Sequence, residues 1–211
     1  MESSTVDQFA TSREDWMGKI DFNPENDLGD SSQFGADKIW VTSDTHFNHK
    51  NILVYEAANR PFADKKEMDA SLIERWNERV GQNDVVLHLG DFAFANATYI
   101  NEVVKQLNGR IFLLLGNHDR VRKFDWTSLG FEKVFSDPFM LDGKFIFSHE
   151  PLVHIPDGKV NVFGHVHGSN YFQTETDNAF CACVERWNCT PIEYEFIKNL
   201  YKPTSPAIIE A

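Results

Sequence analysis

Five short apolar runs in this chain stop abruptly, and each stops on residues of the same few kinds. KIWV runs into Thr42-Ser43-Asp44-Thr45-His46, VVLHL into Gly90-Asp91, and IFLLL into Gly116-Asn117-His118-Asp119. Further on, KFIF runs into Ser148-His149, and VNVF into Gly164-His165-Val166-His167. A short, continuous apolar run bounded by polar residues is the pattern of a strand buried on both faces. Two amphipathic stretches separate the first three runs. Met68, Leu72, Trp76 and Val80 recur at i+4 steps with charges between them and stop at Gly81, and a second helix is expected over residues 98–107, before Asn108-Gly109. Strand, helix, strand, helix, strand predicts a parallel sheet of the α/β class.

The second half reads differently. Residues 139–149 form a hairpin pattern turning at Asp142-Gly143, and further strands are expected over 160–167 and 179–187. Residues 191–200 suit either a short helix or a last strand. The whole predicts two sheets packed together and flanked by helices.

Charge bears on the partners. The 211 residues carry a formal charge of −12, which argues against a general nucleic-acid binder held by bulk electrostatics. Seven of those negative charges belong to residues 1–37, which hold nine acids, two bases and many Ser, Gly and Asn residues. That segment is expected to be a largely irregular extension with one short docked element, and residues 38–211 the folded domain. No membrane partner is expected, because the longest aliphatic and aromatic run, Ile111–Leu115, is far short of the roughly 20 residues a spanning helix needs. The first residues show no basic start followed by an apolar stretch. Cys181, Cys183 and Cys189 are an odd number, read as buried thiols rather than a disulfide framework, and the two signs together predict a cytoplasmic protein.

The polar ends of the five runs carry the chemistry. Residues two apart on a strand point to one side, so Asp44 with His46, and His165 with His167, are each expected to face one ion. Glycine before Asp91, Asn117 and His165 lets the chain turn sharply beside a crowded centre. Carboxylate, amide and imidazole ligands without cysteine suit Mn, Fe or Zn better than a structural zinc site. His88, inside its run, reads as a hydrogen-bonded core histidine, His154 as a loop residue, and Trp76 as core.

The five motifs in this order resemble the calcineurin-like metallophosphoesterases over about residues 38–187. DTHFNHKNI, NRPF, HLGDFAF, LLGNHD and GHVHG are similar, more narrowly, to small members common in bacteria and phages. The resemblance implies a four-layer α/β/β/α sandwich with two divalent metals, Mn first and Fe, Zn, Ni or Co as alternatives. One metal would take Asp44, His46, Asp91 and His167, and the other Asp91, Asn117, His149 and His165, with Asp91 bridging. The implied reaction is in-line attack on phosphorus by a hydroxide held between the ions, with His118 as proton donor and Asp119 orienting its ring. His49 and Arg60 match the narrower subgroup and are expected to contact the substrate. Arg60 is read as a substrate-phosphate clamp or a surface salt bridge.

The expected substrate is a small phosphomonoester or phosphodiester, with a nucleotide among the candidates. A nuclease or cyclic-nucleotide phosphodiesterase is the alternative. Long nucleic acid is disfavoured by the acidity and by the lack of a Lys/Arg stripe interleaved with aromatics. A non-catalytic interaction scaffold is the alternative of another class, and the complete ligand set speaks against it.

Overall fold

The structure is a computed structural model that describes Ser12 and residues 21–120 and 124–202. The first three apolar runs form β1 (Ile39–Thr42), β2 (Val85–His88) and β3 (Arg110–Leu114). They pair in parallel, β4 (Lys133–Phe135) extends them in parallel, and β9 (Ile192–Glu193) adds antiparallel to β1. The order is β4-β3-β2-β1-β9. A second sheet orders β5 (Phe139–Leu141), β6 (Phe145–Ser148), β7 (Val160–Phe163) and β8 (Ala179–Cys181) in sequence. Its first pair is antiparallel and the other two are parallel. The hairpin turns where expected. Asp142 and Gly143 both have positive φ, 53° and 57°, as a two-residue turn matched to strand twist requires.

Alternation along each strand builds the layers. Val41, Val85, Leu87, Phe112 and Leu114 face inward and meet Phe139, Phe145, Phe147, Val160, Val162 and Phe180 of the second sheet. The intervening residues Trp40, Val86, Ile111 and Leu113 face outward. They pack against α2 (Lys65–Arg79), which follows the short α1 (Ile52–Tyr55), through Met68, Leu72 and Trp76, and against α3 (Ala97–Val104), through Ile100 and Val103. Asp64 caps α2 by accepting the N–H groups of Lys66 and Glu67. Burying each such aliphatic or aromatic side chain contributes about 1.5–3 kcal/mol. Two mixed sheets flanked by helices result, as the pattern predicted.

Three local expectations change. The strand expected over 179–187 ends at Cys181, and Val184–Arg186 form a 3₁₀ turn that buries the Glu185 carboxylate. Residues 191–200 are both things at once, β9 followed by α5 (Tyr194–Leu200). The described part of the acidic segment is docked. Leu28 N–H donates to Met140 O, the Ser31 N–H and hydroxyl donate to Asp142, and Phe34 meets Phe112 edge-on at 5.1 Å. Residues 1–11 and 13–20 of that segment, and 203–211 at the other end, lie outside the described residues. All three cysteines are free and buried. Among the described residues no helix is long and apolar enough to cross a membrane.

Candidate metal centre

The ligand-type residues follow β1, β2, β3, β6 and β7, and they converge because the strands that carry them run in parallel within each sheet. Their convergence is not the strand alternation expected from sequence. β1 ends at Thr42 and β7 at Phe163, so Asp44, His46, His165 and His167 all lie beyond them. Each turns by left-handed backbone instead, with φ of 59°, 49°, 71° and 47°, and Asp91 does the same at 54°. Such a conformation costs a non-glycine residue on the order of 1 kcal/mol or more and persists only where surroundings enforce it. Here the enforcement is a ladder between loops. Asp44 N–H donates to Gly90 O at 2.9 Å, His46 N–H to Asp91 O at 3.0 Å, and His165 N–H to the Asp44 carboxylate at 2.8 Å.

The glycines act differently from expectation as well. Of Gly90, Gly116 and Gly164, only Gly90 has positive φ, 102°. Gly116 and Gly164 are needed for space: a Cβ on Gly116 would stand 2.1 Å from Asp91 Oδ1, and one on Gly164 2.0 Å from Ser43 Oγ.

Two triads of ligand atoms result, Asp44-His46-His167 and Asp91-His149-His165, all six residues buried. His167 Nε2 lies 3.8 Å from Asp44 Oδ1, and His46 Nε2 4.0 Å from the same oxygen. Asn117 joins the second triad, its Oδ1 2.9 Å from His149 Nε2. Asp44 Oδ1 and His46 Nε2 are buried without a hydrogen-bond partner. Buried polar atoms are ordinarily paired, so two acceptors left open toward one another fit a divalent cation. Burial raises the Asp44 carboxyl above its ordinary range, with Asp91 and Glu185 adding to the rise against the pull of His167 and His149.

Around the triads sits a layer that the sequence did not disclose. His167 Nδ1 lies 2.9 Å from Glu185 Oε1, which also accepts from Arg60 Nε at 2.8 Å and from Nη2 at 2.5 Å. Arg60 also donates to the backbone carbonyls of Thr45, at 2.9 Å, and Asp44, and to the Met68 sulfur, at 3.5 Å. The guanidinium is fully buried, so both readings of Arg60, phosphate clamp and surface salt bridge, are corrected: its donors are spent inside the protein. Burial alone would raise the Glu185 carboxyl, but Arg60 and His167 hold it down to about 2. No motif marked Glu185, because ERW read as the end of a strand.

Asp119 is tied to the backbone of two loops. Its oxygens accept the N–H groups of Asp91 (2.7 Å), Phe92 (3.2 Å) and Gly116 (3.0 Å). They shape the Asp91 loop. His118, in α4 (Asn117–Arg120), places Nε2 3.8 Å from Asp91 Oδ2 and keeps 17% of its side chain exposed. His49 is buried, with Nδ1 3.3 Å from His46 Nδ1 and its ring stacked on Phe94 at 4.3 Å, so it buttresses a ligand. His88 is the core histidine expected. Gly90 N–H donates to its Nδ1 at 3.2 Å, and Thr45 Oγ1, whose proton goes to Phe92 O, lies 3.0 Å from its Nε2.

Residues 37–209 match the sequence profile of the calcineurin-like phosphoesterases, and the chain belongs to that family. It is similar to MJ1445, an uncharacterized protein of Methanocaldococcus jannaschii, at 45% identity over 130 residues, 57% of this chain and 73% of that one. It is also 39% identical over 85 residues to the gene 66 protein of mycobacteriophage D29, covering 39% of this chain and 40% of the phage protein. Among solved structures, AQ665 of Aquifex aeolicus, a protein of unknown function, shares the fold with a TM-score of 0.61 and 24% identity. That likeness covers 77% of this chain and 98% of AQ665.

Proposed function

We propose that the chain hydrolyses small phosphoesters, mono- or diesters, with two divalent metal ions, Mn first among them. The observation that carries the reading is the pair of buried triads with Asn117 beside one and the Asp91 carboxylate between them. Asp44, His46, His167 and Asp91 would hold one ion, and Asp91, Asn117, His149 and His165 the other. Bound there, the ions supply Lewis acidity toward phosphoryl oxygens and acidify water. Two carboxylates against two divalent ions leave the centre near +2, which favours a phosphate despite the acidic chain.

The chain's own residues supply the rest. His118 is the exposed imidazole of the group. With 17% of its side chain exposed, it would donate a hydrogen bond to the phosphoryl group or a proton to the leaving oxygen. Asp119 holds the Asp91 loop, and the strained ligand residues are pre-set by their ladder, so little reorganisation accompanies the reaction. A small substrate is favoured over long nucleic acid because the sequence is acidic and offers no Lys/Arg stripe interleaved with aromatics to follow a backbone.

The test is hydrolysis by protein stripped of metal and reloaded with Mn, Fe, Zn, Ni or Co in turn. Nitrophenyl phosphate, bis-nitrophenyl phosphate, nucleotides, cyclic nucleotides and single-stranded oligonucleotides are the substrates. Turnover of the small esters is expected with at least one metal. A rate on oligonucleotides far above that on nitrophenyl diesters would replace this reading with a nuclease, and no turnover with any metal would leave a scaffold.

A further inference from the structure

Arg60 and Glu185 are 125 residues apart in sequence, yet they form a fully buried ion pair directly behind one ligand triad. Burying two charges costs more than burying two apolar side chains of similar size, so stability alone is a weak reason for the pair. Its geometry supplies a better one. We propose that Glu185, clamped by Arg60, is the positioning residue of the Asp44-His46-His167 metal: it fixes the His167 ring so that Nδ1 donates to the carboxylate and Nε2 is left free for the ion. The inference rests on the metal-binding reading above.

Three observations carry it. An ionised carboxylate only accepts, so the 2.9 Å contact from Glu185 Oε1 assigns the proton to His167 Nδ1. Nε2, the atom that faces Asp44 Oδ1, is then the ring nitrogen that would take the ion. Next, the guanidinium reaches both halves of the triad. It binds Glu185 behind His167, and its other donors reach the carbonyls of Asp44 and Thr45, beside the other two ligands, and the Met68 sulfur. Finally, His149 of the second triad has a partner of another kind. His149 Nδ1 meets the neutral carbonyl oxygen of Leu89, at 2.8 Å. A carboxylate behind a ligating imidazole raises its basicity and fixes its orientation more strongly than a carbonyl does. The effect of Glu185 is therefore confined to one of two ions.

The experiment measures Mn²⁺ binding by calorimetry and metal content in wild-type protein, Glu185→Gln, and the double variant Arg60→Met/Glu185→Gln. The amide keeps an acceptor for Nδ1 and removes the charge. The double variant avoids stranding a buried guanidinium, and circular dichroism checks that each chain is folded. Two ions are expected in wild type, with one of them weakened about 10–100-fold in both variants and the other unchanged. Glu185→Asp is expected to recover part of the loss. Equal binding in all folded chains, or equal weakening of both ions, would overturn the positioning role. A wild type that takes up no Mn²⁺ would overturn the metal reading itself, and the inference with it.

Discussion

Oδ2 of Asp91 lies 3.5 Å from Nε2 of His46. The same oxygen is 3.6 Å from Nε2 of His149, so one atom stands between two triads that share no other side chain. Metal content is expected to follow that geometry. Asp91→Asn weakens uptake at both positions, whereas Asn117→Ala, which removes the amide beside His149, weakens one. Mass-spectrometric metal analysis after dialysis against Mn²⁺ separates the two. Loss of both ions from Asn117→Ala would show that the ligands are divided otherwise.

His118 is expected to separate binding from turnover. Its ring lies 5.5 Å from that of His46, close to the triads but in neither of them. His118→Gln keeps both ions and loses turnover by about 10²–10⁴-fold, the usual contribution of a general acid. Steady-state kinetics with metal content measured on the same sample is the check. Unchanged turnover would remove His118 from the chemistry.

The fold was legible because its signals are local. Apolar runs, i+4 spacing and the Asp142-Gly143 turn each reflect a few adjacent residues, and the ligand residues sit immediately after those runs. What was not legible is long-range. Nothing near Arg60 announces Glu185, and nothing near Asp119 announces that its oxygens serve Asp91, Phe92 and Gly116. The ligand geometry also escaped for a physical reason. Strand alternation and left-handed turns both bring residues two apart to one side, and only coordinates tell them apart.

Gly116 offers a test of crowding. A methyl group there would meet Asp91 Oδ1 at 2.1 Å and Asp91 N at 2.5 Å, closer than any real contact, so the Asp91 loop has to move. Gly116→Ala is expected to lower stability by about 1–3 kcal/mol in urea unfolding and to weaken both ions, since it displaces the shared carboxylate. Gly81→Ala is the control, because its nearest neighbour would be an ordinary 3.4 Å away. Equal behaviour of the two variants would deny Gly116 this role.

His88 predicts how the metal-free protein responds to acid. Its ring is buried among Trp76, Phe92 and the Thr45 hydroxyl, and burial, aided by His149, lowers its pKa from 6.5 to about 3. The unfolded chain therefore takes up a proton at this position below pH 6.5 while the folded chain refuses one until about pH 3. The stability that neutral His88 contributes is complete above pH 6.5 and is lost progressively as the pH falls through that window. By pH 5 the loss is about 2 kcal/mol, at 1.36 kcal/mol per unit below 6.5. His88→Gln, which keeps an acceptor and a donor but does not titrate, is expected to fall by about 2 kcal/mol less than wild type between pH 7.5 and pH 5. Urea unfolding of metal-free protein at the two values measures this, and parallel losses in both chains would mean that His88 charges freely in the folded state.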